Sequence, residues 1–284
     1  MKRPAISIEG RIFLVGCPRS GTTLLQSLLA AHAQVCSFPE THFFPNAVGR
    51  GWRRYLGVAS PNARRRLLEF LEEIGREDLK WLVPRHGFLL KDYVNAFVKI
   101  LDVLTEQGSK KIWVEKTPRH LHYIALIEKY IPDAKFIHIV RNGKDVVASL
   151  YEVTHKHPEI WGGPRSIEQC INRWINDVRI SLRHLHRPNH ILVQYENLVE
   201  APRSILEKLC AFIGIPFDEV MLREYGSAAR RVISKNEVWK AGVDRPIKKT
   251  NSKKFFEIFD EQQRQYICDR LSAAGMEDLS ILLR

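Results

Sequence analysis

Residues 11–32 read RIFLVGCPRSGTTLLQSLLAAH, and this stretch decides the fold. Ile12-Phe13-Leu14-Val15 is a short β-rich apolar run that stops at Gly16, as a strand buried on both faces does. Leu24, Leu25, Leu28 and Leu29 then follow at helical spacing. Between strand and helix, Gly16 to Thr23 has the G-x4-G spacing of an anion loop. Glycines let the backbone approach closely, so successive N–H groups and a helix N-terminus face a negative charge. The nucleoside triphosphate version of this loop has Lys where this chain has Thr22. The later strand FIHIV also lacks an obvious closing Asp to hold magnesium. A cation sits inside the loop instead, at Arg19.

Working outward, further short apolar runs alternate with helical patterns. Strands are expected at Val35 to Phe38, Lys111 to Val114, Ala134 to Val140 and Ile191 to Tyr195. Residues 45 to 110 read as helical, with stripes at Leu67, Phe70, Leu71 and Ile74 and at Phe97, Ile100, Leu101 and Leu104. Pro118 is placed to open a helix. Others are expected from Lys144, over Ile171, Trp174, Ile175 and Val178, and after Tyr195 to Ile213, with a loop from His155 to Pro164. This alternation predicts an α/β fold: a P-loop-type parallel sheet flanked by helices on both faces. The whole chain, 1–284, is expected to be one domain, with 45–110 as a helical insertion and lid.

Composition sets outer bounds. The chain has 284 residues, 45% of them apolar, enough for a sizeable core. No apolar run is long enough to span a membrane. The start, MKRPAISIEGRIFLVG, flows directly into the first strand and does not read as a secretory signal. Five cysteines, widely spaced and without a CxxC pair, argue against a disulfide framework or structural zinc and for a reducing, cytoplasmic location. A net charge of +12 suits a polyanionic or phosphorylated ligand, or simply a cationic surface.

A second anion site is suggested by FIHIVRNGKDVVASLYEV. Arg141 ends a strand, and Ser149 lies two turns into the next helix. A guanidinium contacts phosphate bidentately, and a hydroxyl adds a donor. Each residue alone reads as a cap, an ion pair or an ordinary helix polar group. After the first loop, the two together read as a second phosphate contact. An anion loop without an evident Mg²⁺ site, plus a separate phosphate contact, fits a nucleotide phosphorylated at both 5′ and 3′ ends better than a triphosphate.

At this point a family resemblance becomes explicit. CPRSGTTLLQSLLAAH resembles the 5′-phosphosulfate loop of PAPS-dependent sulfotransferases, nearest to the branch with tyrosylprotein and many bacterial enzymes. The resemblance implies 3′-phosphoadenylyl sulfate (PAPS) as donor, PAP as product and no metal. It places Arg19, Ser20, Gly21, Thr22, Thr23 and Leu24 at the phosphosulfate, and Arg141 and Ser149 at the 3′-phosphate. Asn142 stands where many relatives have Asp. Tyr195, in VQYENLVEAP, is similar to a segment beside the adenine; stacking on the base and capping a core strand both remain open. The basic run Lys248 to Lys254, including Lys253, resembles a loop that folds over the 3′-phosphate, and a merely solvated loop is the competing reading. Ser234 is matched to a donor near the bridging oxygen.

For the chemistry, sulfonyl transfer needs a base for the acceptor proton and neutralisation of the leaving phosphate. PETHFF, Pro39 to Phe44, supplies Glu40 as the base that the resemblance implies, with His42 as its neighbour. VEKTPRH supplies Lys116, similar to a family Lys at the scissile sulfonate, and Arg19 shares charge on the leaving side. Three His-x-His pairs (His120/His122, His155/His157, His184/His186) place their members on different helix faces and carry no ligand cluster. Trp52, Trp81, Phe43, Phe44 and Tyr123 are expected mostly in the core. The implied partners are PAPS and an acceptor hydroxyl or amine, expected on a small molecule. No nucleic acid is expected, and a homodimer is compatible. A P-loop kinase or NTPase, and a non-enzymatic polyanion binder, are the competing functions.

Overall fold

The structure, a computed structural model, describes residues 7–233, 247 and 253–276. Five strands form one parallel sheet: β1 (Gly10–Gly16), β2 (Val35–Ser37), β3 (Ile112–Lys116), β4 (Ala134–Val140) and β5 (His190–Gln194). Their spatial order is β2-β3-β1-β4-β5. In the central strand, Phe13 pairs with Glu115 on one side and Phe136 on the other. A strand covered on both faces must be apolar throughout, and Ile12 to Val15 are all fully buried.

Helix α1 (Thr22–Ala30) follows the first loop and returns the chain to β2. The insertion then runs through α2 (Phe43–Ala47), α3 (Trp52–Tyr55), α4 (Asn62–Glu73) and α5 (Leu90–Gln107). It is helical as expected, except for two isolated β-bridges, Val48↔Ala59 and Val58↔Leu89. A 3₁₀ turn from Pro118 to Tyr123 leads from β3 into α6 (Ile124–Tyr130). After β4 come α7 (Gly143–Lys156), α8 (Pro158–Trp161) and α9 (Ile167–His184). The segment expected as a loop from His155 is therefore partly helical, because Pro158 can open a turn as easily as close one. Ser166 starts α9 with a reciprocal cap: its hydroxyl accepts from the Gln169 N–H while Gln169 accepts from its N–H.

Beyond β5 lie α10 (Tyr195–Glu200), α11 (Pro202–Ile213), α12 (Val220–Arg223) and α13 (Tyr225–Val232). Tyr195 opens α10 rather than closing the strand, and Pro202 splits the single expected helix in two. Finally α14 (Lys253–Ile258) and α15 (Glu261–Ala273) pack with α7 and α9. No helix among the described residues is long and apolar enough to cross a membrane.

The two sheet faces build separate cores. Phe13, Trp113 and Phe136 face α2, α4, α5 and α6. Ile12, Leu14, Ile137 and Ile139 face α1 and α11. Phe43 and Phe44 are fully buried in the first core, as expected. Trp52 and Trp81 are not: both are mostly exposed. Adjacent strands β1 and β3 send their connections in opposite directions along the sheet, which opens a crevice at their C-terminal ends.

Candidate active site

Nearly every residue singled out in the sequence lies just beyond the C-terminal end of a strand. The loop after β1 depends on two left-handed residues, Arg19 (φ 74°) and Gly21 (φ 94°). At Gly21 a side chain is excluded twice over: by the positive φ, and because a Cβ would come within 2.3 Å of the Tyr195 ring. Gly21 has no side chain to cap α1, and the first turn carries no acidic group, so the N–H groups of this helix end suit an anion. Ser20 Oγ is buried with no hydrogen-bond partner among the described residues, a donor that an oxyanion in the loop would satisfy. Thr22 and Thr23 are buried at the start of α1, with Leu24 beside them half-buried. Cys17 is inert: burial, and then Asp177 beside it, push its thiol well above its ordinary value.

The two anion motifs meet. Arg19 Nε donates to Ser149 Oγ on α7 at 3.0 Å, although 130 residues separate them. The Arg141 guanidinium lies over the Tyr195 ring, 4.4 Å from its centroid, and faces Asp145 at 3.3 Å. Trp174 Nε1 donates to the Arg141 carbonyl, and Glu196 accepts from the Asn142 N–H at 2.9 Å. Asn142 also caps α7 through Lys144 N–H, so the residue that departs from the family pattern has a structural role. Tyr195 is half-buried between Gly21 and Arg141; it belongs to the loop cluster more than to the strand. Lys253 does not join this cluster: it is largely exposed on α14 and faces Glu257. Ser234 and residues 248–252 lie outside the described residues.

On the other side of the crevice, Lys116 Nζ donates to Glu40 Oε1 at 2.5 Å. Lys116 is fully buried and Glu40 nearly so, so their charges are held together in a poorly solvated place. His42 Nε2 stands 3.6 Å from the other Glu40 oxygen. Desolvation lowers the His42 pKa most, Glu40 opposes this, and Arg66, His120 and Lys116 lower it further.

Beneath this pair lies a knot that the sequence reading missed. The Glu115 carboxylate is fully buried and accepts from Thr41 Oγ1 at 2.7 Å and Thr117 Oγ1 at 2.6 Å; His120 Nδ1 sits 2.8 Å from its other oxygen. Burial alone would raise its pKa; His120 and the hydroxyls outweigh that, and the carboxyl lies below its ordinary value. Thr41 follows Glu40, and Thr117 follows Lys116, so one carboxylate fixes the backbone on both sides of the ion pair. Thr117 Oγ1 also accepts from the His42 N–H, and Arg66 from α4 donates to the Thr41 carbonyl at 2.6 Å. The available signal was an acidic residue inside an otherwise apolar strand, IWVEK.

Of the His-x-His pairs, His120 binds Glu115 and His122 binds Asp177, as separate partners. Folding does bring His184, His190 and Glu128 within 4.8 Å of one another, a grouping invisible in sequence spacing. Arg187, Asn189 and His190 all bond Glu128 there.

A loop with the N–H groups of a helix start and a buried hydroxyl, a contact from it to Ser149, and a neighbouring Glu–Lys pair lie together at one edge of a parallel sheet. Residues 11–219 match the model described as the Sulfotransferase family, and the chain belongs to that family. Among curated relatives, protein-tyrosine sulfotransferase 1 of Danio rerio is 28% identical over 249 residues, covering 84% of this chain and 63% of its own length. The Drosophila melanogaster protein-tyrosine sulfotransferase is 24% identical over 218 residues, 74% of this chain and 39% of its own length. The chain therefore spans less than two thirds of these relatives. Among solved structures, a sulfotransferase domain from the curacin biosynthetic pathway aligns with a TM-score of 0.61 at 22% identity, covering 94% of this chain and 98% of that one. A mouse sulfotransferase complexed with PAP aligns with a TM-score of 0.58 at 14% identity, covering 96% and 87%. These two likenesses establish the sulfotransferase fold.

Proposed function

We propose that this protein transfers the sulfonyl group of PAPS to a hydroxyl or amine, releasing PAP. The observation that carries the reading is the Arg19–Ser149 contact, which joins the two anion motifs at one crevice. A nucleotide charged at its 5′ and 3′ ends matches two such cationic places, and the solved mouse relative holds PAP. In this reading Gly16 to Thr23 cradle the 5′-phosphosulfate, and Arg141 and Ser149 hold the 3′-phosphate. Tyr195 offers a ring to the adenine.

Glu40 takes the acceptor proton as the acceptor oxygen or nitrogen bonds to sulfur. The bond from sulfur to the 5′-phosphate oxygen breaks, and Lys116 and Arg19 offset the charge that grows there. The Glu40 carboxylate is held against Lys116, facing the crevice where the acceptor would enter. His42 lines the acceptor side. No step in this scheme calls on a metal ion.

We propose a small molecule as the acceptor, and the protein-tyrosine relatives make a tyrosyl peptide the second reading. The test is incubation with labelled PAPS and a panel of alcohols, phenols, amines and tyrosyl peptides, with EDTA present. Label should pass to one acceptor class, with PAP released. Label that stays in PAPS throughout, while ATP–Mg²⁺ is consumed, would install the kinase reading instead.

A further inference from the structure

The insertion carries a surface that the proposed chemistry does not use. Between residues 41 and 68, and again between 79 and 91, the sequence contains no Asp or Glu. Folding brings residues 57–59 of the first against residues 88–90 of the second. Val58 bridges Leu89, the Ala59 N–H donates to the Phe88 carbonyl at 2.9 Å, and the Leu90 N–H donates to the Gly57 carbonyl at 2.8 Å. The side chains flanking this junction point outward. Tyr55 is 96% exposed and Leu56 68%, with Phe88 and Leu89 also exposed on the facing strand. Trp52, one turn before Tyr55, is exposed too and carries the Arg53 guanidinium 5.3 Å above its ring. Exposed Arg50, Arg54, Arg85 and Lys91 surround them.

We propose that this face docks on an anionic lipid surface. The chemistry selects that occupant in three ways. Among the described residues Arg50, Arg54, Arg85 and Lys91 form no ion pair, so a negatively charged partner is favoured and a second copy of the same face would be repelled. Trp and Tyr with flanking Arg are the side chains that settle at the headgroup level of a bilayer. Leu56 and Leu89 have no flat face on which a base could stack, so a nucleic acid would leave them uncovered. A bilayer takes aliphatic tips and cations together, as interfacial segments do. The described helices do not span a membrane, so the contact would be peripheral.

The test is flotation of the full chain with vesicles of phosphatidylcholine alone, or with one third phosphatidylglycerol. Binding should require the anionic lipid and weaken as salt is raised. Each of Arg50→Gln and Arg54→Gln should lower partitioning about fivefold, the scale expected for one cation near an anionic surface. Leu56→Ser with Phe88→Ser should abolish it. These side chains are exposed, so an unchanged melting temperature and unchanged PAP binding should certify the fold of each variant. Bromine-labelled lipid should quench part of the Trp fluorescence in the parent chain, and less in Trp52→Phe. Absence of flotation, equal binding to neutral vesicles, or binding indifferent to all four substitutions would overturn the proposal. Concentration-dependent dimers, or RNA capture, broken by the same substitutions would also overturn it by naming another occupant.

Discussion

The two sides of the crevice, proposed for donor and acceptor, are built differently. On the proposed donor side, Gly16 to Thr23 run contiguously from the end of β1 through a short loop into α1, and Arg141 and Ser149 sit on one strand–helix unit. Local chain geometry sets much of that arrangement, and long-range contacts such as Arg19 to Ser149 and Arg141 to Tyr195 tie the pieces together. On the acceptor side, Glu40 and Lys116 are 76 residues apart and meet because a buried carboxylate, Glu115, grips the residue after each. One half is set mainly by a contiguous backbone stretch, the other by a tertiary knot. The lesson is that binding and turnover should fail separately.

The largest separation is expected at Glu40. Glu40→Gln should lower kcat by about 10²–10⁴-fold, the usual scale for a lost general base, while PAP still binds. Near-normal turnover would remove Glu40 from the role. Next in size, Glu115→Leu strands His120 and two hydroxyls in the core. The cost should be about 3–5 kcal/mol, the range for breaking one partner of a buried pair, read by denaturant unfolding. Glu115→Gln keeps an acceptor and should cost less; if that variant unfolds as easily as the leucine one, charge rather than hydrogen bonding holds the knot.

On the donor side the effects are smaller and appear in affinity. Arg141→Ala should weaken PAP by about 10- to 150-fold, the value of a charged hydrogen bond, with much less loss for a nucleotide lacking the 3′-phosphate. Equal losses for both ligands would move Arg141 away from that phosphate.

A last effect, seen as a pH slope and remote from the crevice, probes β4. His138, fully buried on β4, has its pKa lowered to about 3 by burial and then by His190 and His184. Between pH 6.5 and 3 the unfolded chain carries a proton there that the folded one lacks. Its contribution is complete above pH 6.5 and is lost on acidification, at about 1.4 kcal/mol per pH unit. His138→Gln should flatten that slope in denaturant titrations; an unchanged slope would assign it to other groups.

Much of this was readable in the chain. The five strands appear where apolar runs stop at turn residues, because a parallel sheet needs unbroken hydrophobic stretches. The strand–loop–helix passage at Gly16 to Thr23 was legible because its residues are contiguous. Arg19 bonding Ser149, Tyr195 lying on Gly21 and Arg66 reaching Thr41 were not, because each joins segments with no common periodicity. Glu115 was passed over as a neighbour of Lys116, since a carboxylate in a strand announces a buried partner without naming it. Trp52 and Trp81 misled in the opposite direction: residue type alone says core, and the fold leaves both at the surface.

Calorimetric titration of PAP against adenosine 5′-phosphate asks most directly whether one crevice grips charge at two places. PAP should bind the unaltered protein about 10- to 150-fold more tightly, the value of one charged contact, and Ser149→Ala and Arg141→Ala should each narrow the gap. Equal affinity for the two nucleotides in the unaltered protein would contradict the account.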